Sequence, residues 1–338
     1  MLYIEDRYNV NTEFPKVLKG YFEGLKVGIF DIETTGLDPA RSKFILGGLA
    51  YAEEGFPEGE IKIEQYFAEK PEEEKEALEK CLEALSKLDV VITYNGTRFD
   101  MPYIKYRAAQ YGIGFKYDMP HNLDLYYVIN KFSELRKMLP NLKQKTVENY
   151  FGLWETRTDE ISGAESIELY EEYVKTGDKE LLDKILLHNS DDVMQLTKLV
   201  PIVKKADVHR AMSNLGFPVG NLSTKCLEAS ADRLFVSGTQ RKNAFSYYSY
   251  AMEEGDCDMT FDKIEEEFQC SIPFGYADGA DLFYIDLESV LPENDALKDS
   301  HAYESGYLVI RRNDEFDYEA INSFVRELLK NICAEYGQ

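Results

Sequence analysis

Two acidic residues one position apart, Asp31 and Glu33, follow the apolar run Val27-Gly28-Ile29-Phe30 in the string Asp31-Ile32-Glu33-Thr34-Thr35-Gly36. Alternation along a strand puts both carboxylates on one face and turns Ile32 into the opposite layer. Gly36 then lets the chain bend away where that strand reaches a sheet edge. Unpaired carboxylates this close repel, and hard oxygen ligands suit Mg²⁺ or Mn²⁺ better than zinc. On its own an Asp-x-Glu pair in an acidic protein is commonly solvated surface. Two further groups of residues change that weighting.

The first is Tyr94-Asn95-Gly96-Thr97-Arg98-Phe99-Asp100, which follows the β-branched run Leu88 to Thr93. That run reads as a buried parallel strand. Asp100 is expected as the N-cap of the next helix, with Pro102 in its first turn. A strand, an Asn-Gly turn and a capped helix explain Asp100 but not the whole string. The second is His188-Asn189-Ser190-Asp191-Asp192, inside a helix expected from 179 to 200. His188 and Asp192 fall on the same helical stripe as Leu181, Ile185, Leu196 and Leu199. An i,i+4 His and Asp pair facing inward carries a desolvation cost that needs a reason. Asp191 is expected to look outward as a surface charge.

Taken together, Asp31, Glu33, Asp100, His188 and Asp192 resemble the DEDD superfamily of 3′-to-5′ exonucleases, which have the ribonuclease H-like fold. The resemblance covers residues 25–200. It is nearest to a bacterial branch of ribonuclease H-like domain proteins in which His-Asn-x-x-Asp closes the domain, and the loop Arg157-Thr158-Asp159-Glu160-Ile161-Ser162-Gly163 is similar to one in that branch. His188 and Asp192 stand four apart, the spacing at which polymerase-proofreading relatives carry tyrosine; histidine relatives place their Asp five residues on. The resemblance implies two divalent cations, Mg²⁺ or Mn²⁺, about 3.5–4 Å apart across the scissile phosphate. Asp31 would bridge both, Glu33 and Asp192 would complete one and Asp100 the other, with His188 orienting or deprotonating the attacking water. It places Thr34, Thr35 and Leu37 at the terminal nucleotide and Asn95 and Phe99 at the next one. Thr34 and Thr35 equally fit ordinary turn residues, and Phe99 fits a core position better than a stacking platform.

Length and charge bound this reading. With 338 residues the chain has room for two domains, and we expect a ribonuclease H-like domain at 1–205 and a smaller, acidic, aromatic-rich α+β domain at 206–338. No apolar stretch approaches the roughly 18–20 residues of a membrane span, and Met1 to Glu23 lacks a signal-peptide core. The five cysteines form no Cys-x-x-Cys pair and their odd number argues against a disulfide framework, so a reducing cytoplasm is the expected home. The net charge of −24 opposes binding to long duplexes. Residues 98–145, however, hold nine basic side chains (Arg98, Lys105, Arg107, Lys116, Lys131, Arg136, Lys137, Lys143, Lys145) against four acidic ones. That segment reads either as a cradle for a short single strand or as solvated helix faces.

Three strands, near 26–31, 43–52 and 61–67, then alternating helices and strands, give an α/β fold: a mixed sheet flanked by helices. Pro71-Glu72-Glu73-Glu74 reads as an acidic helix start with no catalytic interest. In the second domain, strands are expected at 234–237, 244–252, 282–286 and 307–311, and a helix from Tyr318 to Tyr336. The tyrosines at 247, 248 and 250 fit cross-strand packing better than base stacking. That domain would cover the cleft, bind a protein partner or mediate self-association. The activity expected is a two-metal 3′-to-5′ exonuclease on single-stranded DNA or RNA. Two alternatives remain: a non-catalytic nucleic-acid or protein-binding module on the same scaffold, and a metal-dependent hydrolase of small phosphate esters.

Overall fold

A computed structural model describes residues 1–114, 120–153, 161–230, 232–251, 256–292 and 295–337. The chain divides into two compact units, Met1–Asp207 and Val208–Gln338. The first contains strands β1 (Leu2–Val10), β2 (Val27–Thr34), β3 (Phe44–Tyr51), β4 (Gly59–Phe67), β5 (Val90–Thr93) and β6 (His121–Asp124). Its helices are α1 (Lys16–Tyr21), α2 (Glu74–Leu85), α3 (Asp100–Tyr111), α4 (Leu125–Phe132), α5 (Leu135–Met138), α6 (Gln144–Tyr150), α7 (Gly163–Thr176) and α8 (Lys179–Leu199).

The strands form one sheet in the order β1-β4-β3-β2-β5-β6. β1 to β4 and β2 to β3 pair antiparallel, and β2, β5 and β6 run parallel. The short β-branched β5 is buried throughout, as a central parallel strand must be. On one face, Phe30, Ile32, Phe44 and Leu49 pack against Leu78, Cys81 and Leu85 of α2 and Met101, Tyr103 and Ile104 of α3. On the other, Ile45, Leu46 and Phe67 meet Tyr170 and Tyr173 of α7 and Ile185 of α8. The mixed sheet between helix layers is the architecture expected from the order of elements.

Local chemistry sets the helix ends on the second face. Ser162 and Glu165 form a reciprocal capping box at the start of α7. Gly177, at φ +69°, closes α7 in the left-handed conformation, and the Asp178 carboxylate accepts the Glu180 N–H at 2.9 Å to open α8. This tight hairpin lays α8 across β2 and β3.

Several expectations need correction. Strand β1 was not anticipated: its run Glu5-Asp6-Arg7-Tyr8-Asn9 lacks apolar alternation because it is an exposed edge strand, where charge discourages further pairing. Asp31 and Glu33 lie within β2 rather than at its end. The acidic helix start expected at Pro71–Glu74 is present, and Glu74 has a further structural role that the helix dipole does not account for. It is fully buried, its two oxygens accept from Nε and Nη2 of Arg107 at 2.6 Å each, and it also accepts the Tyr111 hydroxyl and the Phe44 N–H.

The second unit carries two further antiparallel sheets, one built on strands Leu222–Ser230, Arg233–Gln240 and Glu267–Pro273, the other on Leu282–Asp286 and Tyr307–Arg312. Helices Val208–Leu215 and Tyr318–Tyr336 are tied by Asn322, which accepts from the Ser213 hydroxyl and donates to the His209 carbonyl. The strands Leu222–Ser230, Asp258–Asp262 and Glu267–Pro273 were not anticipated, and the strand expected at 244–252 is only Tyr247–Ser249, with residue 252 outside the described residues. Tyr247 stacks on Tyr336, whereas Tyr248 and Tyr250 face outward. Cys81, Cys257, Cys270 and Cys333 are free thiols. Among the described residues no helix is long and apolar enough to cross a membrane.

Fully buried Glu74 holds the partly buried Arg107 through two parallel hydrogen bonds, so removing Glu74 leaves the guanidinium and the Tyr111 hydroxyl short of their acceptor. Glu74→Ala should lower stability by about 2–3 kcal/mol. Chemical denaturation with the slope compared to the parent protein would check this, and a loss below 1 kcal/mol would contradict it.

Candidate metal centre

Asp31 and Glu33 point from β2 toward the α7 and α8 side of the sheet. Across the strand pair, Asp31 faces Gly48 and Glu33 faces Leu46, and the register shifts immediately after Glu33. Gly48 matters because of what crosses it. A Cβ there would sit 2.1 Å from Oδ1 of Asn189, so only glycine lets α8 approach this closely. Its neighbour Gly47 faces the opposite layer, where a Cβ would meet Cys81 Sγ of α2 at 2.4 Å.

Through that gap Asn189 reaches the cluster. Its Nδ2 donates to Asp31 Oδ2 at 3.2 Å, while its Oδ1 accepts from Gln65 Nε2 at 3.0 Å; the same Gln65 nitrogen also donates to the Leu186 carbonyl. The Gln65 donor fixes which end of the Asn189 amide faces Asp31. Both amides are buried, so this relay from β4 through α8 to β2 is sheltered from competing water.

His188 and Asp192 come from the same helix. His188 Nε2 lies 3.5 Å from Glu33 Oε1 and 3.7 Å from Asp192 Oδ2, and ligand atoms of Glu33, His188 and Asp192 all lie within 4.8 Å of one another. Asp100 is buried at the start of α3, and its Oδ1 accepts the Ile32 N–H at 3.2 Å. It was expected as the N-cap, but Phe99 occupies that position and the Asp100 side chain turns to β2 instead. Asp191 was expected to look outward, yet it is buried. A single helical stripe implies one buried face, whereas α8 is packed by β2, β3, α6 and α7 together.

Electrostatics mark the cluster as a place that lacks positive charge. Loss of water raises the Asp31 carboxyl well above the usual range, and repulsion from Asp100, Asp192 and Glu33 adds to it. Burial pushes Glu33 up to about 7, with His188 opposing and Asp192 adding. Burial likewise lifts Asp100 to about 7 against the pull of two backbone N–H groups. The donors are carboxylate oxygens and one imidazole nitrogen, a set that fits Mg²⁺ and, with His188 included, fits Mn²⁺ better.

The remaining candidate residues are placed as follows. The Thr34 hydroxyl donates to the Gly36 carbonyl and Thr35 Oγ1 accepts the Lys43 N–H, so both hold the turn after β2. Leu37, at 83% exposure, projects from that turn. Asn95 adopts a left-handed φ of +66°, and Phe99 is half-buried against Tyr103. Residues 157–160 of the loop similar to the bacterial branch lie outside the described residues, as does Lys116.

Sequence reasoning missed two positioning residues. Buried Asp124 accepts the N–H groups of Asn95, Thr97 and Tyr127, and so pins the loop between β5 and α3 while capping α4. Its place at the end of a short strand before a helix was the available signal. Gln65 gave no signal, since its role depends entirely on a helix 121 residues away.

A family model for the RNase_H superfamily matches residues 29–203, just over half of the chain. The chain belongs to the RNase H superfamily. In sequence it is similar to a DNA polymerase of Methanocaldococcus jannaschii, 34% identical over 120 residues, which are 32% of this chain and 6% of that protein. A DNA polymerase of Pyrococcus glycovorans is 36% identical over 101 residues, 27% of this chain and 12% of that protein. The chain therefore spans only a small part of the curated relatives it matches. Similar solved structures include a family B DNA polymerase from Pyrobaculum calidifontis, at 16% identity and TM-score 0.42, covering 69% of this chain and 38% of that one. Another is E. coli exonuclease I in complex with a dT13 oligonucleotide, at 13% identity and TM-score 0.36, covering 70% and 55%.

If the cluster holds a cation, Mn²⁺ should raise the melting temperature. At a hundred times its Kd the gain is about 2.7 kcal/mol. Asp192→Asn should blunt the rise; a melting curve indifferent to Mn²⁺ and chelator would contradict the cluster as a metal centre.

Proposed function

We propose that this protein is a metal-dependent 3′-to-5′ exonuclease acting on single-stranded nucleic-acid ends. The observation that carries this reading is the approach of Glu33, His188 and Asp192 from two elements to within ligand distance of one another, beside Asp31. Membership of the RNase H superfamily supports it.

Asp31, Glu33 and Asp192 would hold the cations, with Asp100 joining them from the start of α3. Bound there, divalent ions would neutralise charge on the scissile phosphate and on the departing 3′ oxygen. His188 Nε2 faces Glu33 and Asp192, where an imidazole can orient the attacking water or take its proton. Asn189 restrains Asp31 so that its free oxygen keeps one direction. Exposed Leu37 offers an apolar edge to a terminal base, and Asn95 sits on the rim that a preceding nucleotide would cross. The partner of this site is then the 3′ end of a nucleic-acid strand, and the second unit remains available for another protein or a second copy of this chain.

The test is a gel assay of 5′-labelled single-stranded DNA and RNA with Mg²⁺, Mn²⁺ or chelator. A ladder shortening from the 3′ end, abolished by chelator and reduced at least a hundredfold by Asp31→Asn, is the expected result. Turnover of free nucleotide esters without any oligonucleotide cleavage would replace the proposal with a small-ester hydrolase. Oligonucleotide binding without metal-dependent cleavage would replace it with a binding module.

A further inference from the structure

Helix α7 supplies no carboxylate to the cluster, yet its buried residues lead to one. Its inward stripe, Ser166, Tyr170 and Tyr173, recurs at helical spacing. Tyr170 and Tyr173 meet Phe67 of β4 at ring distances of 5.8 and 5.7 Å, and the Tyr170 hydroxyl donates to the Ala68 carbonyl at 3.0 Å, just past the end of that strand. Both rings share a core with Leu46 of β3. Leu46 is the cross-strand partner of Glu33, so the two side chains stand side by side on the same face of the sheet. The helix also packs on β2 itself. One turn before Tyr170, the stripe therefore reaches Glu33 at Ser166.

Ser166 is 1% exposed, and its hydroxyl has no hydrogen-bond partner of good geometry among the described residues. A serine inside a helix can satisfy its hydroxyl on the carbonyl four residues back. Here that carbonyl, of Ser162, accepts the Ser166 N–H at 2.9 Å, and the hydroxyl makes no such bond. Within its reach is the Glu33 carboxyl, whose ionised form it favours. Glu33 turns Oε1 to His188 Nε2 at 3.5 Å, and an ionised carboxylate has further lone pairs that accept an O–H. Burying a hydroxyl beside an ill-aligned acceptor is costly, and the cost is recovered when that acceptor settles into line.

We infer that Ser166 is a positioning residue for Glu33: from α7 its hydroxyl donates to the carboxylate and fixes the direction in which the remaining lone pairs meet a divalent cation. The inference rests on the metal-centre reading and adds to it an anchor on an element that supplies no ligand. Asp31 has such a restraint in the Asn189 amide, and Asp100 has one in the Ile32 N–H. Ser166 gives Glu33 the same. Carboxylates that bind metal are held by hydrogen bonds of this kind, and losing one typically lowers metal affinity by about ten- to a hundredfold. Were Ser166 merely a small residue where the helix crowds the sheet, alanine would serve as well.

The test is Mn²⁺ titration of the full chain by calorimetry, without nucleic acid, together with thermal melts of each variant in chelator. Ser166→Ala should weaken Mn²⁺ binding about tenfold or more. Ser166→Thr, which restores a hydroxyl, should recover most of that loss. Tyr170→Phe removes another buried hydroxyl from the same stripe, so it should lower the melting temperature and leave Mn²⁺ affinity unchanged. If the parent binds Mn²⁺ and Ser166→Ala binds it equally well, the positioning role is overturned and the metal centre stands. If Tyr170→Phe weakens Mn²⁺ as much as Ser166→Ala does, the effect is one of helix packing and the role is again overturned. A parent that binds no Mn²⁺ removes the metal centre and this inference together.

Discussion

Mutual repulsion among carboxylates that the fold forces together is the constraint on which the first unit is organised. Asp31 and Glu33 leave β2 on one face, Asp192 comes from α8 and Asp100 from α3, and loss of water at Asp31, Glu33 and Asp100 removes what would otherwise screen them. Such an arrangement costs free energy in the absence of a cation. The rest of the unit reads as what keeps these groups from moving apart: two helix layers on the sheet, each with its own apolar core.

The restraint is built at two levels. Gly47 and Gly48 are consecutive, and because strand neighbours face opposite layers they admit α2 on one side and α8 on the other at distances no side chain would allow. Asn189 then uses the space above Gly48 to reach Asp31, with Gln65 fixing its orientation. On the far side, the Glu74 and Arg107 pair joins α2 to α3 and to the start of β3, so the helix that begins with Asp100 is anchored independently of the cluster. Opposite charges are thus compensated inside the protein at Glu74, while at Asp31 and Glu33 like charges gather.

Local pattern made much of this legible in the sequence. Strand alternation put Asp31 and Glu33 on one face, an unbroken β-branched run marked β5 as a central parallel strand, and helical spacing set His188 and Asp192 on an inward stripe. What escaped depends on partners far along the chain. The charged strand β1 pairs only because β4 offers it an edge. Glu74 read only as part of an acidic helix start because its partner Arg107 lies on another helix. Asp191 was assigned to solvent because one stripe cannot reveal a helix packed on several sides. The basic segment at 98–145 could not be divided by sequence into paired and unpaired cations; the structure gives partners to Arg107, Lys137 and Lys145.

The central claim is that these carboxylates converge in order to hold divalent cations. Anomalous diffraction from crystals soaked in Mn²⁺ tests it most directly. The account predicts a peak bonded to Asp31, Glu33 and Asp192. Crystals saturated with Mn²⁺ that show no peak at these oxygens, or peaks confined to acidic surface elsewhere, would contradict it.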